Sequence, residues 1–353
     1  MKYLIYMGPG IGDMMIVLPM LKSIKNSDPN AYIRIFTRSS KTRFSISKKL
    51  FDLQDFAQDF DYYSSKELLK TFIFLIKNGF KKYDYGFSLQ YTNLKSTSII
   101  PSLVIKIASR KTCGMNITNN PSIKFDTYVD FKNGASVRQY SLEQLNAVGI
   151  KSNIEISNLI DKSKLPLCPH FQRNDKTSIA LCVGTAPVSM KIEGKLVTNN
   201  TKLWPYHYWV ELAALLNSKG YNVFLMGGKA EKEEFLKRSL QIPEGVFDFI
   251  GNCDILQSLS LLNECSLVIG ADTGLMHCAG ALDKVSLTIF GCTDYREYLP
   301  LGKRSEYIAS NEACSPCFGT SRSVLCKHHN CMKHITVEQV YNRSLSILEG
   351  HNN

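Results

Sequence analysis

The chain has 353 residues, 44% of them hydrophobic and 21% charged. With no low-complexity tract and no obvious repeat, it reads as globular and larger than one compact core, so two domains are expected. Its apolar runs, such as "TFIFLI" (71–76) and "SIIPSLVIKIA" (98–108), are too short or too interrupted for the roughly 18 residues of a membrane span, and Asp13 breaks the N-terminal run, which argues against a cleaved leader. The net charge of +11 is lopsided: residues 1–176 carry 26 Lys and Arg against 14 Asp and Glu, residues 177–353 carry 16 against 17. The first half is therefore either a solvated basic surface or one that faces nucleic acid, an acidic membrane or a phosphorylated substrate.

"KYLIYM" (2–7) predicts a strand, "GPGIGD" (8–13) a turn, "MMIVLPMLKSIKNS" a helix and "AYIRIF" (31–36) the next strand. "SKELLKTFIFLIKNGF" and "SVRQYSLEQLNAVGI" predict helices on either side of a strand at "YDYGFSL". The polar, proline-containing stretch 162–177 is the best linker. A second alternating series follows: strands at "SIALCVG", "YNVFLMGG", "SLVIGA" and "VSLTIFG", with helices at "PYHYWVELAALLNSKG", "DILQSLSLLNEC" and "LMHCAGAL" between them. "TVEQVYNRSLSILEG" (336–350) predicts a terminal amphipathic helix. The expected organisation is α/β, with one Rossmann-like domain over 1–170, a second over 177–335, and a C-terminal helix over 336–353. Two such domains would face each other across a cleft.

In open α/β sheets ligands bind at the carboxyl ends of strands. That rule selects the loops 8–13, 184–204, 227–231, 270–277 and 291–296. "GPGIGD" lacks the third glycine of a phosphate loop, and Asp13 would repel phosphate. Asp13 is then either a helix cap or a carboxylate placed to accept a proton from a hydroxyl. Lys202, just before a helix, opposes the helix dipole unless an anion sits beside it; otherwise it is a surface lysine next to Trp204. Glu231 either bonds a ribose or serves the dipole of its own helix. In "GADTGLMHCAGAL" (270–282), Thr273, Gly274 and the amides of a helix start suit an anion, with Asp272 and His277 placed to orient it.

Of the eleven cysteines, seven are scattered singly through the chain and read as small buried side chains of a reducing compartment. Cys314, Cys317, Cys326 and Cys331 form C-x2-C-x8-C-x4-C, a spacing open to a structural zinc or iron, to disulfides or to free thiols. His328, His329 and His334 can replace one sulfur as ligand. A metal here would be structural and remote from any chemistry.

Three stretches together resemble glycosyltransferase family 9, the heptosyltransferases of the lipopolysaccharide inner core. They are "GIGDMMIVLPMLKSIK", "KLWPYHYWVELAALLNSKGYNVFLMGG" and "SLVIGADTGLMHCAGALDKVSLTIFGCTD", and the cysteine-bearing tail is similar too. The resemblance implies a GT-B fold, with acceptor on the first domain and nucleotide sugar on the second. It implies an inverting transferase that needs no catalytic cofactor, with Asp13 as base. Lys202, Thr201, Glu231, Asp272, Thr273, Gly274 and His277 would lie at the donor site. The stretch "VSMKIEGKLVTNNT" departs from the family and leaves open which of Thr185, Thr198 and Thr201 meets the phosphates. The implied partners are an ADP-heptose-like donor, an anionic lipid-linked glycan and the cytoplasmic face of the inner membrane, with no nucleic acid. A protein acceptor, or an NDP-sugar epimerase of similar fold, would be the alternatives.

Overall fold

A computed structural model describes residues 1–64, 79–89, 99–116, 123–130, 136–152, 157–167, 171, 174–302 and 304–350. The chain forms two compact units, Met1–Asp161 and Lys162–Asn353.

In the first unit, β1 (Lys2–Met7), β2 (Tyr32–Arg38), β3 (Asp59–Tyr63), β4 (Tyr83–Ser88), β5 (Ser109–Asn116) and β6 (Thr127–Asp130) form one sheet in the order β3-β2-β1-β4-β5-β6. All its pairings are parallel. Strands such as β1, with five of six residues buried, have no solvent face, so helices must cover both sides. The helices are α1 (Ile11–Ser27), α2 (Lys41–Phe51), α3 (Ile99–Ala108) and α4 (Val137–Ala147). Weak periodicity hid α2, β3, β5 and β6 from the sequence. The predicted helix over "SKELLKTFIFLIKNGF" lies almost wholly outside the described residues.

The second unit repeats the design. β7 (Ser178–Cys182), β10 (Asn222–Met226), β11 (Phe247–Asp248), β12 (Leu267–Ala271), β13 (Val285–Phe290) and β14 (Ser305–Ala309) run parallel in the order β11-β10-β7-β12-β13-β14. The longer helices are α5 (Tyr206–Ser218), α6 (Lys229–Lys237), α7 (Ile255–Glu264), α8 (Gly274–Ala281) and, at the end of the chain, α12 (Val337–Glu349). Between α8 and α12 lie three short ones, α9 (Tyr295–Tyr298), α10 (Ser321–Leu325) and α11 (Asn330–Lys333). The polar stretch before Lys202 is an antiparallel hairpin, β8 (Val188–Ile192) with β9 (Lys195–Asn199). It turns on Glu193 and Gly194, both at positive φ (47° and 80°), the geometry of the tight turns that match strand twist.

Strand order reverses between β1 and β4 in one unit and between β7 and β12 in the other. Ligands of doubly wound sheets bind beyond the strand ends at such a reversal. The first turn of α1, which follows β1, carries Asp13, and the loop after β12 carries Asp272.

Candidate functional site

In the first unit, Gly10 caps α1, and the Asp13 carboxylate folds back so that its Oδ2 accepts the Gly10 N–H at 2.8 Å. The cap is therefore realised. A carboxylate has further lone pairs, so one such bond leaves it able to accept a proton. Close packing holds it there: a Cβ on Gly8 would lie 2.5 Å from Asp13 Oδ2, so any larger residue at that turn would push the carboxylate aside.

In the second unit, β12 delivers Asp272 at its carboxyl end, 6% exposed. Thr273 follows as the cap of α8, its Oγ1 accepting the Leu275 N–H at 3.2 Å. That satisfies one of the first-turn amides and leaves the others to water or a ligand. Lys202 Nζ lies 3.4 Å from Asp272 Oδ2, and His277 Nε2 lies 3.6 Å from Asp272 Oδ1. Burial pushes the Asp272 carboxyl up, but Lys202 and His277 outweigh it and hold the group down at about 2. The anion that Lys202 requires is thus built in. His277 is 5% exposed, and its Nδ1 is buried with no hydrogen-bond partner. An orphaned nitrogen inside a charged cluster is costly unless something completes it, and a polar ligand can.

The three threonines left open by the sequence separate. Thr198 shares a 2.7 Å hydrogen bond with Ser189 across the hairpin. Thr201 is 3% exposed and turns inward, accepting from the Cys292 Sγ at 3.4 Å. Thr185 bonds Asn200, beyond the end of β7. Glu231 sits in the first turn of α6, its Oε2 accepting the Gly228 N–H at 2.8 Å, and its side chain lies over Gly184. A Cβ at Gly184 would come within 2.6 Å of Glu231 Cδ. Gly184→Ala must therefore displace Glu231, and we expect it to raise the donor KM about 10-fold with little change in kcat. An unchanged donor KM in steady-state kinetics would separate Glu231 from donor binding.

The cysteine-rich end was expected to be remote from the chemistry. It does not lie apart from the site. Cys317 and Phe318 both donate their N–H to the Cys292 carbonyl, at 2.8 and 2.9 Å, beyond the end of β13. The Phe318 ring then lies 5.2 Å from Lys202 Nζ, an attractive cation–π placement. Asn199 Nδ2, from the hairpin, donates to the Cys326 carbonyl at 2.7 Å, and Trp204 Nε1 to the Ile335 carbonyl at 2.8 Å. Beyond burial, Cys314 and Cys326 disfavour the Cys317 thiolate and all three disfavour that of Cys331, so the four thiols lie within electrostatic reach of one another, although among the described residues no three His, Cys, Asp or Glu side chains are grouped as a ligand set. Cys331 is turned into the core beside Gly291, and burial pushes its thiol up to about 12. Cys326 Sγ accepts the His329 N–H at 3.5 Å, and Cys314 is exposed. Phe318 and Gly184 were missed in the sequence; the glycine at a strand end in "CVGTAP" was the available signal for the second.

Residues 160–328, which span the Lys202, Glu231 and Asp272 loops, match the sequence model of Glycosyltransferase family 9 (heptosyltransferase). The lipooligosaccharide heptosyltransferase 2 of Campylobacter jejuni is 23% identical over 99% of both chains. Over its second unit this chain is therefore similar to glycosyltransferase family 9. The lipopolysaccharide heptosyltransferase 1 of Pseudomonas aeruginosa is 32% identical over 149 residues, a match that spans 40% of this chain and 39% of that relative. The fold is shared with E. coli heptosyltransferase WaaC with ADP, at a TM-score of 0.72, 16% identity, and coverage of 98% and 100% of the two chains. The fold is thus α/β, of the GT-B type.

Proposed function

We propose that this chain is an inverting glycosyltransferase that moves a sugar, heptose from ADP-heptose, onto a hydroxyl of a lipopolysaccharide core or a similar anionic glycan. The observation that carries this reading is the buried Lys202–Asp272–His277 cluster at the start of α8. It joins a fixed cation, free helix amides and an unsatisfied His277 Nδ1 at the place where a doubly wound sheet binds nucleotides. The WaaC structure that shares this fold is a complex with ADP, which supports an adenine nucleotide here.

In the proposed reaction Asp13 takes the proton of the acceptor hydroxyl as its oxygen attacks the anomeric carbon from the face opposite the diphosphate. The bond from that carbon to the diphosphate oxygen breaks, and ADP leaves with the electron pair. Lys202 and the α8 amides stabilise the growing negative charge, which is the part of the reaction most responsive to preorganised dipoles. Glu231 holds the ribose, and Asp272 fixes the position of Lys202 and His277. The basic first unit takes the acidic acceptor, at the cytoplasmic face of the inner membrane; among the described residues no helix is long and apolar enough to cross that membrane.

The test is product analysis with ADP-heptose and deep-rough lipopolysaccharide. Transfer of one heptose with inverted anomeric configuration is expected. We also expect the rate to persist in EDTA, because a protein cation sits where a divalent ion would otherwise offset the diphosphate. Hydrolysis or epimerisation without transfer would overturn the acceptor assignment, and loss of activity in EDTA restored by a divalent ion would overturn the role given to Lys202.

A further inference from the structure

Helix α3, "IIPSLVIKIA", has only Ser102 and Lys106 as polar residues. Its inward side is ordinary: Val104, Ile105 and Ala108 are at most 2% exposed and pack with Leu4, Phe36 and Tyr83. The outward side is not. Ile99, Ile100, Leu103 and Ile107 recur at helical spacing and are 46, 38, 43 and 41% exposed. A surface helix normally turns a polar face to water, whereas this one is apolar on both. Phe80 extends the patch at 78% exposure. Its loop is pinned to the last turn of α3, where the Lys81 N–H donates to the Ile107 carbonyl at 2.9 Å and the Lys81 ammonium to the Ser109 carbonyl at 2.7 Å.

The charges around this patch indicate what covers it. Segments 79–83 and 99–116 contain five cations, Lys81, Lys82, Lys106, Arg110 and Lys111, and no carboxylate. Lys82, Arg110 and Lys111 are exposed. The neighbouring acid Asp126 is engaged by Lys106 at 2.6 Å. Apolar side chains at the centre with cations at the margin are the pattern of a helix lying in a bilayer interface, its apolar face in the acyl boundary and its cations among anionic headgroups.

We propose that α3 and the Phe80 loop form a docking face for an anionic lipid surface. This goes beyond the transfer reading, since it holds whatever sugar is moved. The experiment is co-sedimentation of the full chain with vesicles of phosphatidylglycerol and phosphatidylcholine, and with phosphatidylcholine alone. The wild type should bind the mixed vesicles and release in high salt, with weak binding to phosphatidylcholine. Two exposed changes, Leu103→Glu with Ile107→Glu, should lower binding about 10-fold or more at an unchanged Tm. Lys82→Glu with Arg110→Glu should remove the preference for phosphatidylglycerol. Equal binding by wild type and both variants, or no binding by the wild type, would overturn the proposal. So would a wild-type dimer in solution that the Leu103 and Ile107 changes dissolve, because the face would then serve a second copy. Transfer to a delipidated, water-soluble acceptor by the same variants separates the readings: they should keep it, and its absence in the wild type would bear on the transferase reading alone.

Discussion

Asp13→Asn should lower kcat by about 10^2- to 10^4-fold while leaving both KM values near wild type, the scale of a lost general base. The substitution is chosen for the way Asp13 is held. Its Oδ2 accepts the Gly10 N–H at 2.8 Å, and the Asn amide oxygen can accept the same bond, so the start of α1 keeps its cap. The Asn side chain has nearly the same size, so it fits the space left by Gly8. Only the ability to take a proton is removed. A Tm equal to wild type together with the loss in kcat would assign that loss to chemistry. Transfer at the wild-type rate would reduce Asp13 to a helix cap.

The second large effect is expected at Asp272. Asp272→Asn removes the charge that sits between Lys202 and His277, both largely buried. Breaking a buried pair by neutralising one partner costs about 3–5 kcal/mol, because the remaining charge keeps its desolvation penalty. Lys202 also loses the contact that fixes it, so the donor KM should rise at least about 10-fold, an effect that folding loss alone does not produce in the surviving native fraction.

The same residue gives a pH signature whose sign is fixed. Its folded carboxyl sits at about 2, below the ordinary 3.8, so its contribution to stability is complete above about pH 5. That contribution fades as pH falls toward 2 and amounts to about 2–3 kcal/mol. The stability gap between wild type and Asp272→Asn should therefore narrow as pH falls from about 5 to about 2 in denaturant titrations. A gap that stays constant over that range would mean that the carboxylate is not held by these partners.

The cysteine-rich end shows what spacing alone leaves undecided. C-x2-C-x8-C-x4-C is open to a metal, to disulfides or to free thiols, and it was expected to lie away from the chemistry. The segment instead packs onto Cys292, the hairpin and Lys202. Ligand spacing records which sulfurs can meet, whereas the direction of each side chain depends on the strand and helix it is packed against. Cys331 is apolar enough to be taken into the core, yet its thiol stays within electrostatic reach of Cys314, Cys317 and Cys326.

Much of the rest was legible because it is local. Alternating apolar strands and helices specify doubly wound sheets, since a strand buried on both faces needs helices above and below. The strongest strands, β1, β7, β10, β12 and β13, are mostly apolar and almost wholly buried, and were each located. The hairpin and the edge strands β3, β6, β11 and β14 were missed because they are polar, half-exposed, or only two residues long, and periodicity is weakest there. The site loops were also readable in advance, because strand-to-helix turns carry their own signals: Gly8, Asp13, Thr273 and Gly274 have backbone and capping roles that operate within a few residues.

By itself, then, the sequence determined the α/β architecture, the strand-end loops and the residue types offered there, all consequences of short-range patterning. Only the tertiary structure decided which side chains meet. Lys202 and Asp272 are 70 positions apart, and Phe318 is farther still, so their contact depends on long-range pairing of β7 with β12 and of β13 with β14. The contacts then set the electrostatics: Lys202 and His277 hold Asp272 ionised against its burial, and His277 Nδ1 is left without a partner. The outward apolar face of α3 likewise emerged only once the core had claimed its other side.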